Sequence, residues 1–270
     1  MNSFSLQGKV VIVTGGTGIL GHAFVEAIVE AGGAVGILGR KADVAEERVE
    51  AITQKGGQAI ALVADVLSEQ DLRKAKDKVL SRFGRLDGLV NAAGGNMPEG
   101  VLQPDENIFS LNMGGMKKVM DLNLWGTLLP TQVFGEAIAE SGGGSIVNIS
   151  SMNSKRAVTK VLGYNMGKAA MDCYTQWFAV ELAARYGDKI RMNALAPGFF
   201  LTEQNRYLLT MKEGGYTERG EKVIRQTPFK RFGNPDELKG ALVWLLGDAS
   251  KFVTGSMISV DGGFSIFSGV

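Results

Sequence analysis

The stretch KVVIVTGGTGILGHAF, residues 9–24, places an apolar strand, a run of glycines and a helical pattern next to one another. The segment VVIV is β-branched throughout, which predicts a buried strand, and apolar residues recur at helical spacing after the glycines. Gly16, Gly18 and Gly21 spell G-x-G-x-x-G, in which glycines allow a tight turn and the close approach of a dinucleotide pyrophosphate. A single match is weak, and a tight strand-to-helix turn that binds no ligand is the alternative.

The same glycines fit a second motif. Read from Thr14, the letters give T-G-x-x-G-x-x-G, with Gly15, Gly18 and Gly21 at the glycine positions. In both motifs the backbone N–H groups at the start of the helix face a phosphate, where the helix dipole favours negative charge. The turn is therefore a candidate phosphate-binding site, and both motifs still fit it.

The overall composition predicts one large domain. The chain has 270 residues and a net charge of +1, with no basic cluster, so we expect no nucleic-acid partner. The sequence has no secretory leader pattern and no segment that is long and apolar enough to span a bilayer, so we expect a cytoplasmic protein with no membrane partner. The single cysteine, Cys173, excludes an internal disulfide and is expected to be buried. With one histidine, His22, the sequence excludes a His-rich metal site and argues against a His-dependent triad.

Short apolar strands alternate with amphipathic helical patterns along the whole chain. The predicted strands are residues 10–14, 34–38, 59–65, 86–94, 144–151, 190–198 and 256–263. This alternation predicts an α/β fold, a doubly wound parallel sheet of seven strands with helices on both faces. Ligands of such sheets bind at the carboxyl ends of the strands.

Two long segments follow strands of this predicted sheet. Residues 91–107 follow the fourth strand, and residues 196–228 follow the sixth. Segments of this length are usually functional lids or else disordered. We expect a substrate lid at about 199–228 within one domain of residues 1–270. The basic residues of this lid either meet an anionic substrate or form a solvated, charged flap.

The sequence YNMGK places Tyr164 and Lys168 one turn apart on one face of a predicted helix. A free tyrosine has a pKa of about 10, too high for acid–base chemistry at neutral pH. An ammonium ~4 Å away at an effective dielectric constant of ~20 is worth ~4 kcal/mol and would lower that pKa by roughly three units. The pair therefore suits a catalytic phenol, although the spacing alone also fits a packed tyrosine beside a surface lysine.

Two more polar residues favour the catalytic interpretation. Ser151 ends the fifth predicted strand and can bind a substrate oxygen beside the phenol of Tyr164. Asn123 lies among apolar residues of a helical pattern, where a polar side chain is expected only if it makes a specific contact.

The complete set of motifs resembles the short-chain dehydrogenase/reductase family. The matching elements are Thr14-Gly15 with Gly21, NAAG at 91–94, Asn123, Ser151, Tyr164 with Lys168, PGFFLT at 197–202 and VDGG at 260–263. They follow the family's order over essentially the whole chain. One feature departs from the common T-G-x-x-x-G-x-G form: the chain has Ile19 where that form has its middle glycine.

The resemblance implies a Rossmann-like fold and hydride transfer between a nicotinamide and a carbinol or carbonyl carbon. It implies that Tyr164 is the general acid/base, that Ser151 orients the substrate oxygen, and that Asn123 anchors a water that leads protons away. Lys168 would lower the pKa of Tyr164 and bind the nicotinamide ribose, and no metal would be needed. The implied cofactor contacts are Gly15, Thr17, Gly18, Ile19, Leu20, Arg40, Asp65, Val66, Asn91, Ala92, Gly94, Tyr164, Lys168, Pro197, Gly198 and Thr202.

The end of the second predicted strand bears on the choice of cofactor. An acidic residue there would bind the adenosine ribose 2′-OH and favour NAD. The chain instead has Gly39 followed by Arg40 and Lys41, which can pair with a 2′-phosphate. We therefore expect a preference for NADP(H), with NAD(H) as the alternative.

The segment between Ser151 and Tyr164 is rich in polar and basic residues, which suits a hydroxylated or anionic substrate. It is similar to the sugar-acid branch of the family, the D-mannonate oxidoreductases (fructuronate reductases). We expect a small carbonyl or alcohol substrate, with contacts from Asn96 and Asn153 and with Arg206 as the carboxylate partner. The alternatives are a reductase of another polyol, a ketose or a 3-ketoacyl thioester, and a catalytically silent nucleotide-binding regulator. Residues 168–187 are apolar on more than one face, which together with the resemblance predicts a homodimer or homotetramer.

Overall fold

The structure, a computed structural model, describes residues 3–103 and 105–269, the side chains of 203 and 204 excepted. In this part of the chain seven parallel strands form one sheet in the order β3-β2-β1-β4-β5-β6-β7. The strands are β1 (Val10–Thr14), β2 (Ala34–Gly39), β3 (Ala59–Val63), β4 (Gly88–Asn91), β5 (Gly144–Ile149), β6 (Ile190–Pro197) and β7 (Met257–Val260). The predicted seven-stranded, doubly wound α/β fold is confirmed, with several strands shorter than the apolar runs that predict them.

Helices connect the strands and lie on both faces of the sheet. They are α1 (Ile19–Glu30), α2 (Ala42–Gln54), α3 (Glu69–Phe83), α4 (Met113–Met120), α5 (Gly126–Glu140), α6 (Leu162–Tyr186), α7 (Glu203–Leu209), α8 (Glu218–Gln226) and α9 (Lys239–Leu246). A π-helical turn, Asp121–Trp125, joins α4 to α5. The predicted lid segment contains α7 and α8, so it is built from two short helices.

The two faces of the sheet bury separate apolar clusters because successive strand residues point to opposite sides. In β1, Ile12 belongs to the cluster beneath α3, α5 and α6, where Phe134 is fully buried. Val11 and Val13 belong to the other cluster, with Phe24 of α1 and the apolar side of α9. The apolar runs of the sequence are thus strands covered on both sides.

The chain reverses its winding direction at β1, which pairs with β2 on one side and with β4 on the other. At this switch point Thr14 Oγ1 accepts hydrogen bonds from Ala92 N–H and Ala93 N–H, both at 3.1 Å. The bonds hold the carboxyl end of β1 against the segment that follows β4. A crevice at this position is where doubly wound sheets bind their ligands.

The long helix α6 keeps part of its apolar surface exposed. Trp177 and Val180 are 60% and 68% exposed. Cys173, on the same helix, is also exposed, so the expectation that it is buried is wrong. The apolar residues of α6 are too many for the sheet alone to cover, and Cys173 lies on the side of the helix that faces away from the sheet core.

Candidate active site

The glycine-rich turn between β1 and α1 has no room for a Cβ at three positions. At Gly16 an added Cβ would lie 2.9 Å from the carbonyl oxygen of Val13. Gly15 has φ +64°, and a Cβ added there would lie 2.8 Å from the carbonyl oxygen of Ala92. A Cβ on Gly21 would collide with the carbonyl oxygen of Gly15. Gly18 has φ −82°, and an added Cβ would lie 3.3 Å from Gly15 O, so a small side chain would meet less steric conflict at this position.

The start of α1 presents backbone donors to this turn. His22 N–H makes the first intrahelical hydrogen bond, to Gly18 O at 2.9 Å. The amides of Ile19 and Leu20 precede that bond and belong to the orphan donors of a helix N-terminus, which suit an anion. Ile19 therefore opens the helix by its backbone, and its side chain does not fill the turn.

A cleft of about 280 Å³ extends from this turn along the ends of the neighbouring strands. It brings together Gly15, Thr17, Gly18, Ile19, Leu20, Arg40, Asp65, Val66, Ala92, Gly94 and Thr202. Close backbone approach at the glycines and the amides at the start of α1 fit the phosphates of a dinucleotide. Most of the predicted cofactor contacts thus line one cleft.

Asn91 is different from the other predicted cofactor contacts. Its side-chain amide donates to Thr131 Oγ1 and to Asn148 Oδ1, both at 2.9 Å, inside the protein. The side chain thus links β4 to β5 and α5. Contact of Asn91 with the cofactor stays a prediction.

A second cavity, of about 200 Å³, continues the cleft and shares Leu20, Ala92, Gly94 and Thr202 with it. Its lining includes Asn96, Ser151, Asn153, Tyr164, Lys168, Pro197, Gly198 and Arg219. The predicted catalytic and substrate residues, with two exceptions, therefore meet at the inner end of the cofactor cleft. The exceptions are Asn123, which lies behind the lining, and Arg206.

Ser151 and Tyr164 form the core of this cavity. Ser151 follows β5 and precedes a 3₁₀ turn, where its Oγ accepts a hydrogen bond from Asn153 N–H at 3.2 Å. Tyr164 lies in the first turn of α6 and lines the same cavity as Ser151. Burial raises the pKa of the Tyr164 phenol, and the interaction with the Ser151 hydroxyl partly opposes that effect.

Lys168 is buried beneath Tyr164. Its Nζ donates to the carbonyl oxygen of Ile149 at 2.7 Å and lies 5.6 Å from the centre of the Tyr164 ring. Burial lowers the pKa of Lys168 to about 8, while the charge of nearby Asp172 raises it. Asp172 is itself buried and accepts a hydrogen bond from Ser150 Oγ at 2.5 Å.

The expected lowering of the Tyr164 pKa by Lys168 is not found. The ammonium donates to Ile149 O and lies 5.6 Å from the centre of the phenol ring, and only burial and Ser151 shift the Tyr164 pKa. The net direction of the Tyr164 pKa is upward because burial outweighs the effect of the Ser151 hydroxyl. The i, i+4 spacing correctly places the two side chains on one face of the helix but does not determine the position of the Lys168 ammonium.

Asn123 lies in the π-helical turn and is fully buried. Its Nδ2 donates to Gly95 O and to Val119 O, both at 2.7 Å, and its Oδ1 accepts from Gly95 N–H at 3.0 Å. A Cβ on Gly94 would lie 2.8 Å from this Oδ1 and 3.3 Å from Lys168 Nζ. The polar side chain thus holds the segment after β4 against Lys168.

The substrate end of the cavity is polar. Asn96 Oδ1 is buried and has no hydrogen-bond partner among the described residues, so it can accept from a ligand hydroxyl. Asn153 Nδ2 donates to Asn165 Oδ1 at 2.8 Å, and Asn165 Nδ2 donates to Val158 O at 2.8 Å. The role of Asn165 could not be foreseen, because its neighbours come from residues 7 and 12 positions away.

Arg219 is the lid cation that reaches the cavity. It is half-buried in α8 and donates to Thr159 O and Thr159 Oγ1 at 3.3 and 3.4 Å. Burial lowers the pKa of its guanidinium. Arg206, the predicted carboxylate partner, is exposed on α7 and lies outside the described lining. Helix α7 brings Leu208 and Leu209 to the cavity, which turns Arg206 away from it.

Two kinds of feature are absent from the described residues, a membrane-spanning helix and a metal-binding cluster. No helix within residues 3–103 and 105–269 combines the length and apolarity needed to cross a bilayer. Over the same residues, no group of three or more His, Cys, Asp or Glu side chains is placed to hold a metal ion.

Known proteins share this architecture over nearly the full chain. A family profile described as enoyl-(acyl carrier protein) reductase matches residues 16–265. UxuB, an uncharacterised oxidoreductase of Bacillus subtilis, is 40% identical, with 98% of each chain covered.

Solved structures agree with these sequence comparisons. A provisionally assigned D-mannonate oxidoreductase from Haemophilus influenza, with bound NAD, has a TM-score of 0.90 and 38% identity over 98% of each chain. A gluconate 5-dehydrogenase from Burkholderia cenocepacia, in complex with NADP and tartrate, has a TM-score of 0.85 and 32% identity over 98% of each chain. The chain therefore belongs to the short-chain dehydrogenase/reductase family and is an NAD(P)-dependent oxidoreductase that acts on CH–OH groups.

Proposed function

We propose that the protein interconverts a hydroxy and a keto sugar acid, with D-mannonate and D-fructuronate as the best candidates. The observation that carries the proposal is the position of Arg219, a half-buried cation in the lining of the cavity that also holds Ser151 and Tyr164. A carboxylate is the natural partner of such a guanidinium. The unpaired Asn96 Oδ1 suits a substrate hydroxyl, and the relatives include proteins named for sugar acids.

The catalytic residues have distinct roles in this proposal. Bound nicotinamide supplies or accepts the hydride. In the reducing direction the Tyr164 phenol donates its proton to the oxygen of the substrate carbonyl, and the Ser151 hydroxyl donates a hydrogen bond to that oxygen. Lys168 binds the nicotinamide ribose with its ammonium. Asn123 fixes the Gly94–Gly95 segment beside Lys168.

We propose a preference for NADP(H). A Cβ on Gly39 would lie 2.5 Å from Thr17 Oγ1, so the turn fills the place that an acidic side chain occupies in NAD-specific sites. Arg40 is exposed, with its guanidinium 4.0 Å from Asp65 Oδ2, and is free to swing toward a 2′-phosphate. NAD(H) is the alternative, because a relative with 38% identity is described with bound NAD.

Steady-state kinetics test the proposal directly. The purified protein is assayed with NADPH and with NADH against sugar ketoacids, neutral ketoses and 3-ketoacyl thioesters. We expect the highest kcat/KM for a sugar ketoacid with NADPH. A higher kcat/KM for a neutral ketose or a thioester would replace the substrate proposal, and a preference for NADH would replace the cofactor proposal. Absence of turnover with every carbonyl, despite coenzyme binding, would favour the nucleotide-binding regulator.

Replacing Arg219 tests the carboxylate contact. Arg219→Ala is expected to raise KM for a sugar acid about 10- to 100-fold, the effect of losing one charge-assisted hydrogen bond, with little change in kcat. KM for a neutral polyol should stay constant, which separates charge recognition from a loosened lid. Arg206→Ala serves as the matched control on the same lid. An increase of KM with Arg206→Ala and none with Arg219→Ala would return the role to Arg206.

We also propose that the protein assembles as a homodimer or homotetramer through α5 and α6. An open groove of about 1030 Å³ runs between these helices and includes Leu129, Trp177, Phe178 and Tyr186 in its lining. An apolar surface of this kind on a water-exposed face marks an interface. Trp177→Glu is expected to shift the sedimentation coefficient toward that of a monomer. A wild-type protein that sediments as a monomer would refute the assembly.

A further inference from the structure

Arg48 of α2 reaches behind the glycine-rich turn and binds two of its carbonyl groups. Its Nη1 donates to Gly16 O and, at 3.1 Å, to Gly18 O. The side chain is half-buried and stands outside the described lining of the cofactor cleft, which Thr17, Gly18 and Ile19 help to form. The guanidinium therefore holds the turn from the side opposite the cleft.

The positions of these carbonyls determine where the next amides point. In a planar trans peptide the C=O and N–H groups point in opposite directions. With Gly16 O and Gly18 O turned toward Arg48, the N–H groups of Thr17 and Ile19 point away from it, toward the cleft. Within the described part of the chain, neither of these two amides donates to another protein group.

The sequence of the turn makes such a restraint necessary. Both peptide units begin at a glycine, whose ψ rotates at little steric cost, so each unit can turn away from the cleft more easily than one that begins at a residue with a side chain. A flipped unit would present a carbonyl oxygen to a phosphate and repel it. Gly18 O is already restrained because it also accepts from His22 N–H at 2.9 Å, so Arg48 acts chiefly on the peptide between Gly16 and Thr17.

We propose that Arg48 is a positioning residue that selects the Thr17 and Ile19 amides as donors to the cofactor pyrophosphate. In the T-G-x-x-G-x-x-G form of the turn, the middle glycine is one residue earlier than usual, and Arg48 compensates by holding the peptides that follow Gly16 and Gly18. The inference rests on the NAD(P) dependence of the family and is independent of the proposed substrate.

Binding measurements on Arg48→Met test this role. Arg48→Met keeps an unbranched apolar stem and removes the donors, whereas Arg48→Lys keeps one charged donor group. Isothermal titration calorimetry gives the Kd of ADP-ribose, which contains the pyrophosphate. Saturation-transfer NMR gives the Kd of adenosine, which lacks it. Arg73→Met, at an exposed arginine of α3, is the matched control.

We expect Arg48→Met to raise the Kd of ADP-ribose about 10-fold, with adenosine binding unchanged, Arg48→Lys intermediate and Arg73→Met like the wild type. The Kd of NADPH and its KM should rise in parallel with that of ADP-ribose, while kcat at saturation is retained. Unchanged ADP-ribose binding, or equal weakening of ADP-ribose and adenosine, would overturn the proposal in favour of a simple brace between α2 and the turn.

Two results separate this inference from others. If circular dichroism shows that Arg48→Met is unfolded, Arg48→Lys decides: a wild-type Kd for ADP-ribose overturns the role, and a selective rise supports it. If the wild type binds ADP-ribose but turns over no sugar acid, the substrate proposal fails and the role of Arg48 stands or falls on the binding data alone.

Discussion

Tyr164→Phe is expected to lower kcat for carbonyl reduction by about 10²- to 10⁴-fold, with the Kd of NADPH unchanged. The phenol is the acidic group that the cavity places beside Ser151, and Phe keeps the ring while removing the proton donor. Stopped-flow absorbance at the NADPH band measures the hydride step, and fluorescence titration measures binding. Tyr186→Phe, on the exposed end of the same helix, is the control and should keep wild-type rates.

The outcome also separates an enzyme from a nucleotide-binding regulator. A regulator needs no phenol, so NADPH consumption that survives Tyr164→Phe would show that the turnover arises elsewhere. The direction of the Tyr164 pKa adds a second criterion. Because burial raises this pKa, the phenol stays protonated at neutral pH and suits reduction. Alcohol oxidation needs the phenolate, so its rate should rise with pH while the rate of reduction does not.

That the candidate catalytic residues lie together was predictable, because their relation is local or set by the sheet. Tyr164 and Lys168 are one helical turn apart, and Ser151 follows a strand whose end must lie at the ligand edge. Gly15 and Gly21 were predictable because a backbone clash admits no other residue. Each of these features depends on local backbone geometry, which the helical period and the spacing of residues along the chain encode directly.

The residues that the sequence misplaced are of two kinds. Some are long side chains whose charged ends the sequence does not position, and others lie on helices whose rotation about their own axes it does not set. Arg206 and Arg219 are both lid cations, and only the rotation of α7 and α8 on the cavity determines which one faces it. The Lys168 ammonium is drawn to Ile149 O, a contact between α6 and β5 that spacing within α6 cannot predict. No sequence motif marks Arg48, because its partners are backbone carbonyls about 30 residues away along the chain.

Lys168→Met is expected to abolish most activity while making the protein more stable. At pH 7 the buried ammonium opposes folding, because a pKa lowered from 10.5 to about 8 corresponds to about 3 kcal/mol. Methionine removes that cost but leaves Ile149 O without its donor, a loss of about 1 kcal/mol. The free energy of unfolding should therefore rise by about 1–2 kcal/mol in urea denaturation, while kcat/KM falls at least about 100-fold with loss of the ribose contact.

The pH dependence of that difference identifies its cause. Below pH 8 both the folded and the unfolded wild type carry the Lys168 proton, so the penalty is complete and constant. Between pH 8 and 10.5 only the unfolded chain keeps it, and the stability of the wild type rises with pH relative to Lys168→Met. The difference in the free energy of unfolding between Lys168→Met and the wild type should therefore shrink across this window. The control Lys74→Met, at an exposed lysine of α3, should show no such difference from the wild type. A stability difference that does not change with pH would mean that methionine stabilises by packing, and that the buried charge of Lys168 costs the fold little.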